Sequence, residues 1–186
     1  MASETGTDDR DAAFTAFVRA RGTALARSAF LVVGDATRAE DVLQSAFAET
    51  YLRWNTLRQP EAAEAYVRRV IVTTNAAWWR RRSSSETPLA VLPDRVQPDD
   101  TQTVIERETL VCALRQLSPR QRAVVVLRYF DDLTERETAH IIGCSIGSVK
   151  RHTSRAFERL RHLLGTDLGA VDELTTPVLA IRGVSC

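Results

Sequence analysis

The sequence predicts an all-α protein: two small helical domains joined by a flexible linker, the C-terminal one a helix-turn-helix. Three observations carry that expectation. Apolar residues recur at intervals of three and four in both halves, and no stretch alternates as a strand would. Residues 83–101 hold three prolines (Pro88, Pro93, Pro98), a serine triplet and the acids Asp94, Asp99 and Asp100. Such a composition cannot bury enough apolar surface to order itself. Thr134 to Leu164 then reads as capped helix, glycine turn, capped helix.

The elements follow in order. Residues 1–10 are polar and acidic and read as a disordered tail. From Asp11, Phe14, Phe17, Val18, Leu25, Ala29 and Val32 mark one helical face, closed by Gly34-Asp35. Asp35 caps a second helix over about 36–54, with Val42, Leu43, Ala46, Phe47, Thr50 and Tyr51 on its buried side. Pro60 marks the start of a third, over about 61–82, striped by Tyr66, Val67, Val70, Ile71 and Thr74. It ends in Trp78-Trp79-Arg80-Arg81-Arg82. The first domain therefore spans 11–82, the linker 83–101 and the second domain 102–165. The second begins with a helix through Val104, Ile105, Leu110, Val111, Leu114 and Leu117. Ser118-Pro119-Arg120-Gln121 starts the next by cap, proline and capping box. Thr134 with Glu137 is another capping box, Gly143 suits a left-handed terminator, and Ser145 caps a last helix ended by Gly165. A mildly apolar tail, 166–186, contains Leu174, Val178, Leu179 and Ile181. It packs on the domain, binds a regulator or is disordered, and disorder is the favoured expectation.

Composition limits the function classes. Net charge is +1, so global charge is silent about nucleic acid. Its distribution is not. Residues 66–82 carry Arg68, Arg69, Arg80, Arg81 and Arg82 without an acid. Residues 145–162 carry Lys150, Arg151, Arg155, Arg159 and Arg161 against Glu158 alone. Two basic segments can make two separate phosphate contacts, or they are two solvated helix faces. Cys112, Cys144 and Cys186 fit neither a zinc spacing nor a disulfide framework, which points to a reducing cytoplasm. No signal peptide opens the chain and no apolar run approaches the ~18 residues of a membrane span. His140, His152 and His162 are the only histidines, and neither a metal-ligand spacing nor a nucleophile elbow appears. The expectation is a protein without a cofactor and without enzymatic activity of its own.

Two helices carry candidate binding chemistry. On the last one, Val149, Thr153, Ala156, Leu160 and Leu163 share a buried face. Ser148, Lys150, Arg151, His152 and Arg155 occupy the remaining surface, in the first turns, where a recognition helix meets base edges. Arginine can bridge guanine O6 and N7, while lysine and serine mostly position phosphates. The competing reading is an amphipathic hairpin that binds protein. On the third helix, Trp78 and Trp79 sit among arginines, with Asn75 one turn earlier. Rings that stack on unpaired bases and arginines that track a backbone suit single-stranded DNA. The competing reading there is core packing with a solvated arginine tail.

These blocks resemble the extracytoplasmic-function sigma factors of the sigma-70 family, in the form common among actinobacterial, sigma-E-like members. Leu117-Ser118-Pro119-Arg120-Gln121-Arg122, Leu127-Arg128-Tyr129-Phe130 and Ile141 through Lys150 look like that family's region 4. Ala39 through Phe47 resembles its clamp-docking helix. Tyr66-Val67-Arg68-Arg69-Val70 with Trp78 through Arg82 is similar to its promoter-melting helix in region 2. The resemblance covers about residues 11–164. It implies core RNA polymerase (clamp and flap) and promoter DNA, duplex and melted, as partners, and it admits an anti-sigma protein. It carries minus-ten contacts onto Arg68, Arg69, Asn75, Trp78, Arg80 and Arg81. Minus-thirty-five contacts go onto Ser148, Lys150, Arg151, His152 and Arg155, and polymerase binding onto Asp41, Gln44 and Phe47. The linker is implied to thread toward the polymerase active-site channel. Two departures bear on specificity. Thr73 stands where the family often has Asn, and Arg151-His152 follows Lys150 where it often has Ser-Arg. The alternative function is a stand-alone helix-turn-helix regulator, which leaves the Trp-Arg helix and the clamp-like helix without a role.

Overall fold

A computed structural model describes residues 4–57, 59–84 and 110–164, with side chains over 9–57, 59–82 and 110–164. Among the described residues every regular element is helical. In chain order these are α1 (Glu4–Val33), α2 (Ala36–Leu52), a 3-10 turn (Trp54–Thr56) and α3 (Pro60–Ser84). The described part of α4 spans 110–115. There follow α5 (Pro119–Val125) with a π-helical turn (Val126–Phe130), α6 (Glu135–Ile142) and α7 (Ile146–Leu164). The expected linker from 85 on, the start of α4 with Val104 and Ile105, Gly165 and the tail 166–186 lie outside the described residues.

Helices α1, α2 and α3 pack pairwise around Leu25, Ala29, Val32, Ala46, Val67 and Ile71, each at most 1% exposed. Gly34 (φ 80°) turns the chain between α1 and α2 in the left-handed region that glycine tolerates. Asp35 then accepts the Arg38 amide at 2.8 Å, capping α2 as its side chain foretold. Three boundaries differ from expectation, one of them the end of α3, which runs to Ser84 and takes in the first two residues of the expected linker. Helix α1 starts at Glu4, so residues 4–10 are helical rather than a tail. The Arg10 guanidinium lies 4.0 Å from the Tyr51 ring centre and donates to the Tyr51 carbonyl at 2.6 Å, while Tyr51 donates to Asp11 at 2.5 Å. These contacts hold the first turns against α2. Helix α2 stops at Leu52 rather than Trp54. The 3-10 turn that follows sets Trp54 at 5.2 Å from Phe14 and 5.3 Å from Phe17.

The C-terminal unit packs on the first through contacts of α1 with α5 and its π-helical turn, and of α3 with α5 and α6. One continuous core runs from Leu25 through Leu114, Val126 and Leu127 to Phe157 and Leu160. The two units therefore bury apolar surface against each other as well as within themselves.

Candidate nucleic-acid interface

The α6–α7 motif is built by local chemistry. Thr134 caps α6 by accepting the Glu137 amide, and Glu137 returns a carboxylate to the Thr134 amide at 2.7 Å, a complete capping box. The Thr134 hydroxyl, which donates to the Glu137 carboxylate at 2.6 Å, and then the Thr134 amide hold that carboxyl below its ordinary value. Gly143 ends α6 at φ 72°. Ser145 Oγ accepts the Ser148 amide at 3.1 Å and opens α7. Val124 of α5, Ala139 of α6 and Val149 of α7 form a small core that fixes the angle between the two helices. Val149, Ala156 and Leu160 are buried as their spacing predicts; Leu163, expected with them, is 36% exposed at the helix end.

The opposite side of α7 presents Lys150, Arg151 and Arg155 as exposed side chains, with Ser148 and His152 half-buried beside them. Lys150 approaches Glu135 at 3.7 Å, an exposed pair of little energetic weight. His152 is held below its ordinary value by partial burial and then by Arg120, Arg151 and Arg155. Arg120 is exposed at the start of α5 and belongs to this cationic surface. Sequence periodicity missed it because its neighbours lie on a different helix.

Helix α3 is arranged otherwise. Arg69, Arg80 and Arg81 are exposed. Trp78 is half-buried, 5.1 Å edge-on to Trp79, with the Arg38 guanidinium 3.7 Å and that of Arg82 5.0 Å from its ring centre. Asn75 does not share this surface. It is 2% exposed, donates to the Val32 carbonyl at 3.0 Å and accepts from Arg38 at 3.0 Å. Arg68 is also buried. Its Nε meets Asp131 at 2.8 Å and its Nη1 meets Glu64 at 2.8 Å, and Asp131 accepts from Ser28 at 2.5 Å. Burial works against the Arg68 charge, but Asp131 and Glu64 outweigh it and raise its pKa. Nothing in the sequence signalled this network, because Asp131 lies 63 residues from Arg68.

Residues 107–160 match the family model for sigma-70, region 4. The RNA polymerase sigma-E factor of Streptomyces coelicolor is 43% identical over 158 residues, covering 84% of this chain and 89% of the relative. The ECF RNA polymerase sigma factor SigM of Mycobacterium tuberculosis is 31% identical over 157 residues, covering 82% and 78%. The chain belongs to the extracytoplasmic-function sigma factors.

Two solved structures share the fold of this sigma factor, each with a TM-score of 0.61. One is the sigma factor RpoE of Bartonella quintana in complex with the anti-sigma factor NepR, at 22% identity over 86% of this chain and 98% of that one. The other is CnrH in complex with the cytosolic domain of CnrY, at 23% identity over 84% and 90%. On α2 of this sigma factor, Asp41 and Gln44 are exposed, with Gln44 bonded to Glu40 at 3.3 Å. Phe47 sits half-buried, edge-on to Phe14 at 6.4 Å, so it supports the core as well as bordering that face. Among the described residues, none of the helices is long and apolar enough to cross a membrane.

Proposed function

We propose that this sigma factor directs core RNA polymerase to its promoters by reading the minus-thirty-five element as duplex and opening the minus-ten element. The observation that carries the reading is the α7 surface: Lys150, Arg151 and Arg155 exposed on a recognition helix whose reverse side is locked into a core. Ser148 and His152 complete the duplex contacts, and Arg120 adds a phosphate contact. Arg69, Arg80 and Arg81 follow the melted strand, with Trp78 as a stacking platform for an unpaired base. Arg68 and Asn75, assigned there by resemblance, serve this end only after the packing around them changes. Asp41 and Gln44 meet the polymerase clamp, with Phe47 beneath them. The chemistry of RNA synthesis stays with the polymerase, and the place of work is the cytoplasm. An anti-sigma protein is a further partner, in line with the structural neighbour RpoE, which was solved with the anti-sigma factor NepR.

The test is transcription in vitro with purified protein and bacterial core polymerase on a genomic promoter library. The expected result is a set of polymerase-dependent transcripts sharing an upstream and a downstream element. Absence of transcripts, with tight duplex binding by the protein alone, supports the stand-alone regulator instead.

A further inference from the structure

We propose that Arg38 is a positioning residue for strand opening: held by Asn75 and the end of α1, it fixes the plane of the Trp78 ring on which an unpaired base stacks. The inference rests on the reading of Trp78 as that stacking platform.

The arrangement is built where three helices meet. Helix α1 ends at Val33, and the carbonyls of its last turn have no donor within the helix. Two side chains supply donors. Asn75 of α3 donates to the Val32 carbonyl at 3.0 Å, and Arg38 of α2 donates to the Val33 carbonyl at 3.0 Å. The same Nη2 of Arg38 also donates to the Asn75 Oδ1 at 3.0 Å. The Arg38 backbone is pinned as well, because its amide donates to the capping carboxylate of Asp35. Arg38 therefore has little freedom at either end.

The held guanidinium is a plate set against Trp78. It lies over the ring at 3.7 Å from the centre. That is well inside the ~6 Å within which a cation and an aromatic face attract. Arg82 comes only to 5.0 Å, and Trp79 meets the ring edge-on at 5.1 Å and 86°. Trp78 stands three residues after Asn75, so the two share one face of α3. In this packing Asn75 acts on the ring through Arg38. Burial lowers the Arg38 pKa, Asp35 raises it and Arg82 lowers it again. Both acceptors of its side chain are neutral, so its charge leans on Asp35 and on the negative face of the indole. A planar fork can bond two acceptors and stack at once, which a lysine ammonium cannot. Trp78 remains half-buried, so part of the ring is open to a strand. A ring already held in place spares the strand the cost of ordering it.

The experiment uses polymerase holoenzyme carrying the full-length chain, on one of its own promoters made as two probes. One probe is fully paired, and the other has its downstream element already unpaired. Affinity for each is measured with wild type, Arg38→Gln, Trp78→Ala and the double variant. One immobilised side chain is worth about threefold to tenfold in binding, and Arg38→Gln is expected to lose that much on the opened probe. Upstream protection and salt dependence are expected to stay as in wild type. In the Trp78→Ala background, Arg38→Gln should change nothing, since it acts only through the ring. If Arg38→Gln fails to fold, Arg38→Lys, which keeps the charge without the fork, enters the same cycle with the same expectations. An equal loss in both backgrounds overturns the proposal, and so does a salt slope lowered by about one, the mark of a lost phosphate contact. Wild-type affinity in Arg38→Gln beside a loss in Trp78→Ala overturns the proposal alone. Wild-type affinity in Trp78→Ala instead removes the reading of Trp78 as the platform and takes the proposal with it.

Discussion

Helices α7 and α3 are both arginine-rich and both carry a candidate DNA surface, yet they stand in opposite conditions. On α7 the apolar side is buried and the cationic side faces outward, with Arg151 and Arg155 exposed. On α3 the apolar side is buried as well, but Arg68 is locked to an aspartate of the other unit and Asn75 is spent on Val32 and Arg38. The difference teaches that a helical pattern reports which residues face away from a helix's own domain. It does not report what a second domain lays over them.

The largest expected effect lies in the core that the two units share. Leu160 of α7 is 2% exposed within the cluster that also holds Leu25 of α1. Leu160→Ala should cost about 2–5 kcal/mol. All three tryptophans (Trp54, Trp78, Trp79) lie in the N-terminal unit. A urea melt followed by tryptophan fluorescence should therefore shift as far as one followed by circular dichroism. A shift seen only by circular dichroism would show two independently folding units.

The next effect separates the two surfaces. Arg151→Ala should weaken binding to the upstream promoter element by about 1–3 kcal/mol and relax selectivity there. Arg69→Ala should act chiefly through phosphate and flatten the salt dependence without changing selectivity. Competition binding of the polymerase holoenzyme to matched and mismatched promoters measures both.

A smaller effect concerns the frame that aims α7. Thr134→Ala removes the cap of α6 and should cost about 1 kcal/mol. The pH dependence has a definite sign. The Glu137 carboxyl is held low by the Thr134 side chain and amide, so its contribution is present above the unfolded carboxylate value and lost as pH falls through the folded one. In Thr134→Ala that acid-side loss should shrink, as melting temperature against pH would show. The smallest effect belongs to Thr138, which is fully buried with no partner for its hydroxyl among the described residues. Thr138→Val should be neutral or stabilise by up to about 1 kcal/mol, since it removes an unsatisfied polar atom at constant shape.

Much of the fold was legible because its signals are local. Asp35, Ser118, Thr134 and Gly143 act within four residues of themselves, and each does what its type and position imply. The α7 surface was legible for the same reason: one helix with one period sorts Val149, Ala156 and Leu160 from Lys150, Arg151 and Arg155. The start of α1 was not, because Arg10 is held by Tyr51, 41 residues away. Arg120 escaped because it joins the cationic surface from another helix. Arg68 and Asn75 were assigned to an open surface by resemblance, which matches residue types and carries no information on the Asp131 of the other unit that covers Arg68 or on the Val32 and Arg38 that turn Asn75 inward. Ser28 and Asp131 form contacts that no periodicity reveals, since their partners lie on the other unit.

The most direct test of the account is a footprint of the polymerase holoenzyme on one of its own promoters, with duplex protection read upstream and permanganate reactivity read downstream. Arg151→Ala should lose upstream protection while any complex that forms still melts. Trp78→Ala should keep upstream protection and lose permanganate reactivity. Loss of both signals together in each variant, at wild-type levels of folded protein and polymerase binding, would contradict the division of labour between α7 and α3.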